Sequence, residues 1–112
     1  MWQWLFFWKK SEEMQKIEEF AVQLGSNFFG AVSPQALGDY FLPDKLDKKS
    51  RKRIEREIQA LALRISQFKA LHQIGVYGKA RLHQVFMERL EELDYDPKAV
   101  RELNQLLMVK SP

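Results

Sequence analysis

The chain has 112 residues, of which 46% are hydrophobic and 29% charged, with a formal net charge of +3 and no cysteine. This length and composition are typical of one globular domain that buries its own core. The lack of cysteine excludes a disulfide framework, a thiolate metal site and a cysteine nucleophile, and it favours a reducing, cytoplasmic setting. The small net charge does not by itself indicate a class of partner.

Residues 1–10 read MWQWLFFWKK and contain all three tryptophans of the chain. Their apolar run is far shorter than the ~20 residues that a membrane-spanning helix needs. No positive charge precedes the run as in a signal peptide, and lysines and acids follow it where a cleavage site would lie. The sequence therefore predicts an aromatic N-terminal segment, residues 1–10, and a single helical domain, residues 11–112.

The even positions of this segment carry the predicted partner-binding anchors, Trp2, Trp4, Phe6 and Trp8. In an extended chain the four rings would share one face, whereas in a helix they would surround the axis and leave no polar face. The segment is therefore expected to be buried. Three destinations stay open: a groove of its own domain, a second copy or another protein, and a membrane surface where Lys9 and Lys10 meet anionic lipid.

The first helix of the domain is expected to follow Ser11, because a hydroxyl residue before Glu12 and Glu13 is typical of a helix start. An apolar stripe at three- and four-residue spacing predicts its buried face: Met14, Ile17, Phe20, Ala21 and Leu24. Residues 25–27, Gly-Ser-Asn, are candidates for its end or for a kink.

A short second helix is expected after Ser33, which can cap it, with Pro34 at the first helical position. The third element has the strongest helical pattern, since residues 48–74 contain no glycine or proline. Its apolar residues follow heptad-like spacing: Ile54, Ile58, Leu61, Ile65 and Phe68. Residues 48–74 therefore predict one long central helix of about 40 Å.

Gly75 and Gly78 are expected to bracket a turn, after which a fourth helix runs to about residue 93. Asp96 and Pro97 predict the start of a fifth helix, with Tyr95 placed to pack onto Val100. No repeat or strand hairpin is indicated. The expected fold class is all-α: an irregular bundle of four to five helices with one long central helix.

Residues 45–56, KLDKKSRKRIER, form a strongly basic segment at the start of the long helix. Cations at a helix N-terminus cost a few tenths of a kcal/mol each, so this placement is unusual. The candidates for phosphate contacts with nucleic acid are Lys48, Lys49, Arg51, Lys52, Arg53 and Arg56. A solvated helix end and a contact with anionic lipid are the alternatives.

Residues 88–96, ERLEELDYD, form an acidic counterpart to the basic segment. The two blocks could pair within the domain or between two copies, although exposed ion pairs contribute little singly.

His72 and His83 are the only histidines, and no carboxylate stands at the spacing of a metal-binding helix motif beside either. Both are expected at core or boundary positions. The serines lie outside any nucleophile motif, and neither a phosphate loop nor a dinucleotide fingerprint is present. The sequence thus indicates no catalytic residue, no metal ligand and no cofactor, and the protein is not expected to be an enzyme.

The pattern as a whole favours a small, non-catalytic helical protein–protein interaction or adaptor module that can associate with itself. Two alternatives stay open: an accessory nucleic-acid-binding protein that uses residues 45–56, and a peripheral membrane protein that uses residues 2–10. A small-molecule substrate is not indicated.

Overall fold

The computed structural model describes the backbone of residues 2–112 and the side chains of residues 12–112. The described chain consists of five helices and contains no strand, which confirms the predicted all-α class. The helices are α1 (Trp2–Ala31), α2 (Pro34–Tyr40), α3 (Lys48–His72), α4 (Val76–Glu92) and α5 (Pro97–Lys110).

α1 is longer than the sequence predicted. It continues without a break through Ser11 and through residues 25–27, so the predicted start after Ser11 and the predicted end at residues 25–27 are wrong. A kink at residues 25–27 stays a prediction. Its 30 residues correspond to about 45 Å of helix. The division of the chain into residues 1–10 and residues 11–112 stays a prediction.

Local capping explains why α2 and α5 begin where the sequence predicted. The Ser33 hydroxyl accepts a hydrogen bond from the backbone N–H of Ala36 at 3.1 Å. The Asp96 carboxylate accepts one from the N–H of Ala99, also at 3.1 Å. Each cap satisfies a donor that has no partner within the first turn of its helix.

The connection between α3 and α4 differs from the prediction. The left-handed residue that ends α3 is Gln73, with φ of 47°, and not a glycine. Gly75 precedes α4 in an extended conformation, and Gly78 lies inside α4. A Cβ at Gly78 would lie 3.0 Å from Ile17 Cδ1 and 3.1 Å from Ile74 Cβ, so glycine allows α1 and α4 to approach closely here.

α1 and α4 run parallel and pack against each other along their length. Three hydrogen bonds along the pair join residues that are each 63 positions apart: Arg81 to Glu18, Arg89 to Ser26, and Tyr95 to Val32 just beyond the two helices. The constant offset shows that the two helices keep one register from end to end.

α3 and α5 complete the bundle. α3 runs antiparallel to α1, since the Phe20 ring stacks on Phe68 at 3.9 Å between centroids while Arg53 reaches the Ala31 carbonyl. α5 packs against α3 and α4, so the helices are arranged around the core in the order α1, α4, α5, α3. α2 lies against α3.

All five helices contribute to one apolar core. On α3 the predicted stripe is confirmed at four positions, each at most 5% exposed: Ile54, Ile58, Leu61 and Ile65. Phe68, the last position of the stripe, is partly buried against this core. On α1 the core positions include Ile17, Ala21 and Leu24, as the spacing predicted.

Candidate interaction surfaces

An open cleft of about 550 Å³ lies where α3 turns into α4, against the side of α1. Its apolar wall comes from Ile17, which belongs to the core, and from Phe68 and Ile74, which are partly buried against it. We call it the turn-end cleft; its lining residues are Glu13, Met14, Lys16, Ile17, Phe68, His72, Gln73, Ile74, Gly75, Tyr77 and Gly78.

Three large apolar side chains stand exposed around the turn from α3 to α4, and one of them, Tyr77, lines the cleft. Leu71, Val76 and Tyr77 are 79%, 85% and 78% exposed. Single exposed apolar residues are common on proteins, but three of them within seven positions at a turn that forms a cleft make a candidate interaction site. We refer to the turn-end cleft together with Leu71, Val76 and Tyr77 as the turn-end surface. This surface was not among the predicted sites, and its only signal in the sequence is the apolar pair that follows Gly75.

The predicted anchors Trp2, Trp4, Phe6 and Trp8 have side chains outside the described residues. Their backbone belongs to α1, so this part of the chain is helical and not extended. α4 begins at Val76, and the offset of 63 residues sets that position level with Glu13. The part of α1 before residue 13 therefore continues past the start of α4, at the end of the bundle that carries the turn-end surface.

Two arginines of the basic segment make structural contacts. Arg51 Nη1 donates to the Tyr40 carbonyl at 3.2 Å, and its guanidinium lies over the Tyr40 ring at 5.1 Å from the centroid. Arg53 Nη1 donates to the Ala31 carbonyl at 3.2 Å. Ala31 and Tyr40 are the last residues of α1 and α2, whose terminal carbonyls have no partner within their helices. The contacts explain why cations stand at the start of α3: they stabilise two other helix ends.

The other four of the six predicted nucleic-acid contacts are exposed and lie on one side of α3 by helical periodicity. We call them the basic stripe: Lys48, Lys49, Lys52 and Arg56. The structure thus divides the six predicted nucleic-acid contacts into two arginines held by backbone carbonyls and four cations that face solvent.

The acidic block lines a second cleft, of about 700 Å³, between α2 and the turn from α4 to α5. Its charged lining residues are Asp39, Glu91, Asp94, Asp96 and Glu102, with Lys98 as the cation. Within residues 12–112 the ion pairs are Arg81 with Glu18 and Arg89 with Glu92, and neither joins the acidic block to the basic segment. Pairing of the two blocks between copies stays a prediction.

His83 belongs to a partly buried polar cluster that the sequence pattern did not indicate. Its Nδ1 lies 2.8 Å from Asn104 Oδ1, so Nδ1 carries the proton and donates. The other ring nitrogen, Nε2, accepts from Lys69 Nζ at 3.2 Å, and Lys69 also donates to the Ser111 carbonyl at 2.9 Å. The cluster joins α3, α4 and the end of α5.

Burial lowers the pKa of His83; the hydrogen bond with Asn104 opposes this, and the charge of Lys69 lowers the pKa further. Burial also lowers the pKa of Lys69, with Lys79 acting in the same direction. The lowered pKa of His83 favours a neutral imidazole, whose Nε2 can accept from Lys69. The cluster thus serves as a structural cross-link.

The two histidines are not partners. His72 is exposed and packs against Phe68 at 4.3 Å between ring centroids, so its expected core or boundary position is wrong, whereas that of His83 is confirmed. In the described part of the chain, no three histidine or acidic side chains are grouped to hold a metal ion. Nor does any helix there combine the length and apolar character needed to cross a membrane.

Comparisons with known proteins add no relative. No protein-family model matches the chain, and neither a curated protein nor a solved structure matches it.

Proposed function

We propose that this chain is a non-catalytic helical interaction module that docks an apolar helical segment of a partner protein on its turn-end surface. The observation that supports this most is the exposure of Leu71, Val76 and Tyr77 beside an apolar cleft. Burial of one Leu or Val side chain contributes about 1.5–3 kcal/mol, so a docked partner would gain from covering them. The proposed setting is the cytoplasm, because the chain has no cysteine.

The arrangement of side chains at this end supports the same proposal. The cleft lining combines partly buried apolar side chains, Phe68 and Ile74, with exposed polar ones, Glu13, Lys16 and His72. An apolar centre with a polar rim is the usual anatomy of a protein interface. Tyr77 adds an aromatic side chain of the type that interface hot spots favour.

Photo-crosslinking tests the proposal. A photoreactive amino acid at position 77 is expected to form an adduct with a protein in cells that express the full chain. The adduct should disappear when Leu71→Glu and Val76→Glu are added, because two carboxylates in an apolar contact would have to be desolvated.

The matched control is Leu63→Glu, at a leucine that is 59% exposed on α3 but does not line the cleft. This variant should leave the adduct intact. Loss of the adduct in both variants, or its persistence in both, would overturn the proposal. Circular dichroism confirms that each variant keeps its helices.

A second candidate function rests on the basic stripe. Four exposed cations on one side of a helix suit the phosphate backbone of a nucleic acid, and release of counterions makes such binding strongly dependent on salt. If all four cations contact phosphates of duplex DNA, the slope of log K against log salt should be about −3.6.

Charge reversal of the stripe tests this candidate by mobility shift. Lys48→Glu with Lys52→Glu and Arg56→Glu is expected to abolish binding, because these cations carry most of the charge of the stripe. The control replaces three exposed cations elsewhere, Lys16, Lys98 and Arg101, with glutamate and should retain binding. No shift of the original chain even at low salt would eliminate the candidate.

A further inference from the structure

We infer that the partner at the turn-end surface is a second copy of this chain, whose residues 2–8 lie on it in an antiparallel contact between the two α1 helices. The inference rests on the proposed function and names the occupant of the same surface. Three observations carry it: the helical course of residues 2–12, the apolar character of both contact surfaces, and the order of charges along α1.

The course of α1 makes it hard for residues 2–8 to cover their own cleft. The backbone from Trp2 to Ala31 is one helix, and the register with α4 sets Val76 level with Glu13. At 1.5 Å per residue, residues 2–12 extend about 16 Å past that level. A chain that continues as a helix cannot fold back onto the cleft beside residues 13–17, so the segment is available to another molecule.

Both surfaces that the contact needs lie at the same end of the helix bundle. Residues 2–8 are apolar except for Gln3. The turn-end surface offers Leu71, Val76 and Tyr77, all more than three-quarters exposed. In a two-fold contact the same patch serves both copies, so each copy gives its segment and receives the other. Such a dimer would bury residues 2–8 and the turn-end surface of each copy at once. An unrelated protein could cover one of these surfaces and leave the other exposed.

The order of charges along α1 selects an antiparallel contact with its two-fold axis near Ser11. This register sets residues 2–8 beside residues 14–20 of the partner subunit, a stretch that includes three cleft positions. It also sets the positions of Lys9 and Lys10 beside Glu13 and Glu12 of the partner subunit, both of which are exposed. A parallel contact in register would instead align lysines with lysines and glutamates with glutamates.

Sedimentation equilibrium of the full chain over a range of dilutions tests the inference. The chain is expected to dimerise, and Val76→Glu with Tyr77→Glu should weaken the dimer by at least about tenfold. Leu63→Glu serves as the matched control and should leave the dissociation constant unchanged. All three tryptophans lie in residues 2–8, so their emission maximum should move to the red as the dimer dissociates.

A charge exchange tests the register. Lys9→Glu with Lys10→Glu should weaken the homodimer, and so should Glu12→Lys with Glu13→Lys. A mixture of the two variants should restore association, because each then offers the charges that the other lacks. Restoration by mixing cannot arise from a loss of folding.

The possible failures are distinguishable. A chain that stays monomeric, with a position-77 adduct to a different protein that depends on Val76, overturns the second copy as partner but leaves the proposed function standing. A monomer without such an adduct overturns both. A dimer that neither the Val76 variant nor the charge exchange affects overturns this inference, as does a blue shift of tryptophan emission that occurs only with anionic vesicles.

Discussion

Phe86→Ala is expected to lower the free energy of unfolding by about 3–5 kcal/mol. Phe86 lies on α4 with no exposed surface, and it is among the largest fully buried side chains of the described part of the chain. α4 packs against both α1 and α5. Removal of the ring therefore leaves a cavity between elements that are distant in sequence, which the surrounding side chains fill only in part. Urea denaturation monitored by circular dichroism measures the loss, at an unchanged m-value.

The matched control for this change is Phe29→Ala. Phe29 is 44% exposed, and it makes an edge contact with the Tyr95 ring at 6.2 Å between centroids. Such an aromatic pair contributes about 0.5–1.5 kcal/mol beyond its buried area, so the control should cost clearly less than the change at Phe86. Equal losses at the two positions would contradict the assignment of Phe86 to the core.

Tyr95→Phe is expected to lower the free energy of unfolding by about 1–3 kcal/mol, because it leaves a buried carbonyl without its donor. Tyr95 is 2% exposed, and its hydroxyl donates to the carbonyl of Val32, just after α1. This bond fastens the end of α1 to the turn between α4 and α5. Tyr77→Phe removes a hydroxyl from a side chain that is 78% exposed and should change stability by less than about 0.5 kcal/mol.

The Tyr95 hydroxyl also makes the stability difference between the original chain and Tyr95→Phe depend on pH. Burial raises the pKa of Tyr95 to about 12, whereas tyrosine in an unfolded chain titrates near 10. Between these values the folded chain holds a proton that the unfolded chain has lost, so stability falls as pH rises. The stabilisation by the protonated Tyr95 hydroxyl is complete below pH ~10 and is lost toward pH ~12. Tyr95→Phe has no hydroxyl at this position, so its stability does not change for this reason.

Denaturation at a series of alkaline pH values checks the sign. The stability gap between the original chain and Tyr95→Phe should narrow as pH rises from about 10 to about 12. Tyr40, whose pKa burial also raises, is present in both proteins and cancels in the comparison. A gap that stays constant through this interval would contradict the burial of the Tyr95 hydroxyl.

The local features of the fold could be predicted because each depends on residues close together in the sequence. Ser33 and Asp96 cap helices whose first turn contains the N–H groups they bind. The stripe on α3 follows from periodicity, since a helical backbone places every third or fourth residue on one side. These signals predicted four to five helices, of which the structure has five, and most of the core.

The start of α1 shows where a local signal is insufficient. Ser11 before two acids resembles a helix cap, and such a cap is worth about 1 kcal/mol. Continuation of the backbone hydrogen bonds through Ser11 competes with that preference, and α1 extends to Trp2. The spacing of the aromatic anchors did not by itself determine whether residues 2–8 are extended or helical.

The remaining features depend on contacts between elements far apart in sequence. Gly78 looked like a turn residue, yet it lies in α4, where a Cβ would press closely on Ile17 and Ile74. The contacts of Arg51 and Arg53 with the ends of α2 and α1 required α3 to lie beside both helices. His83 bonds with Lys69 and Asn104, which lie on two other helices.

The sequence by itself determined that this protein is helical, where most of its helices begin, and which residues of α3 face the core, because capping and periodicity act within a few residues. Only the tertiary structure decided which basic residues bind backbone carbonyls and which face solvent. It also decided that Leu71, Val76 and Tyr77 stay exposed beside a cleft. The physical reason is that the close packing of α1 on α4 sets which side chains are covered, and that packing joins residues 63 positions apart.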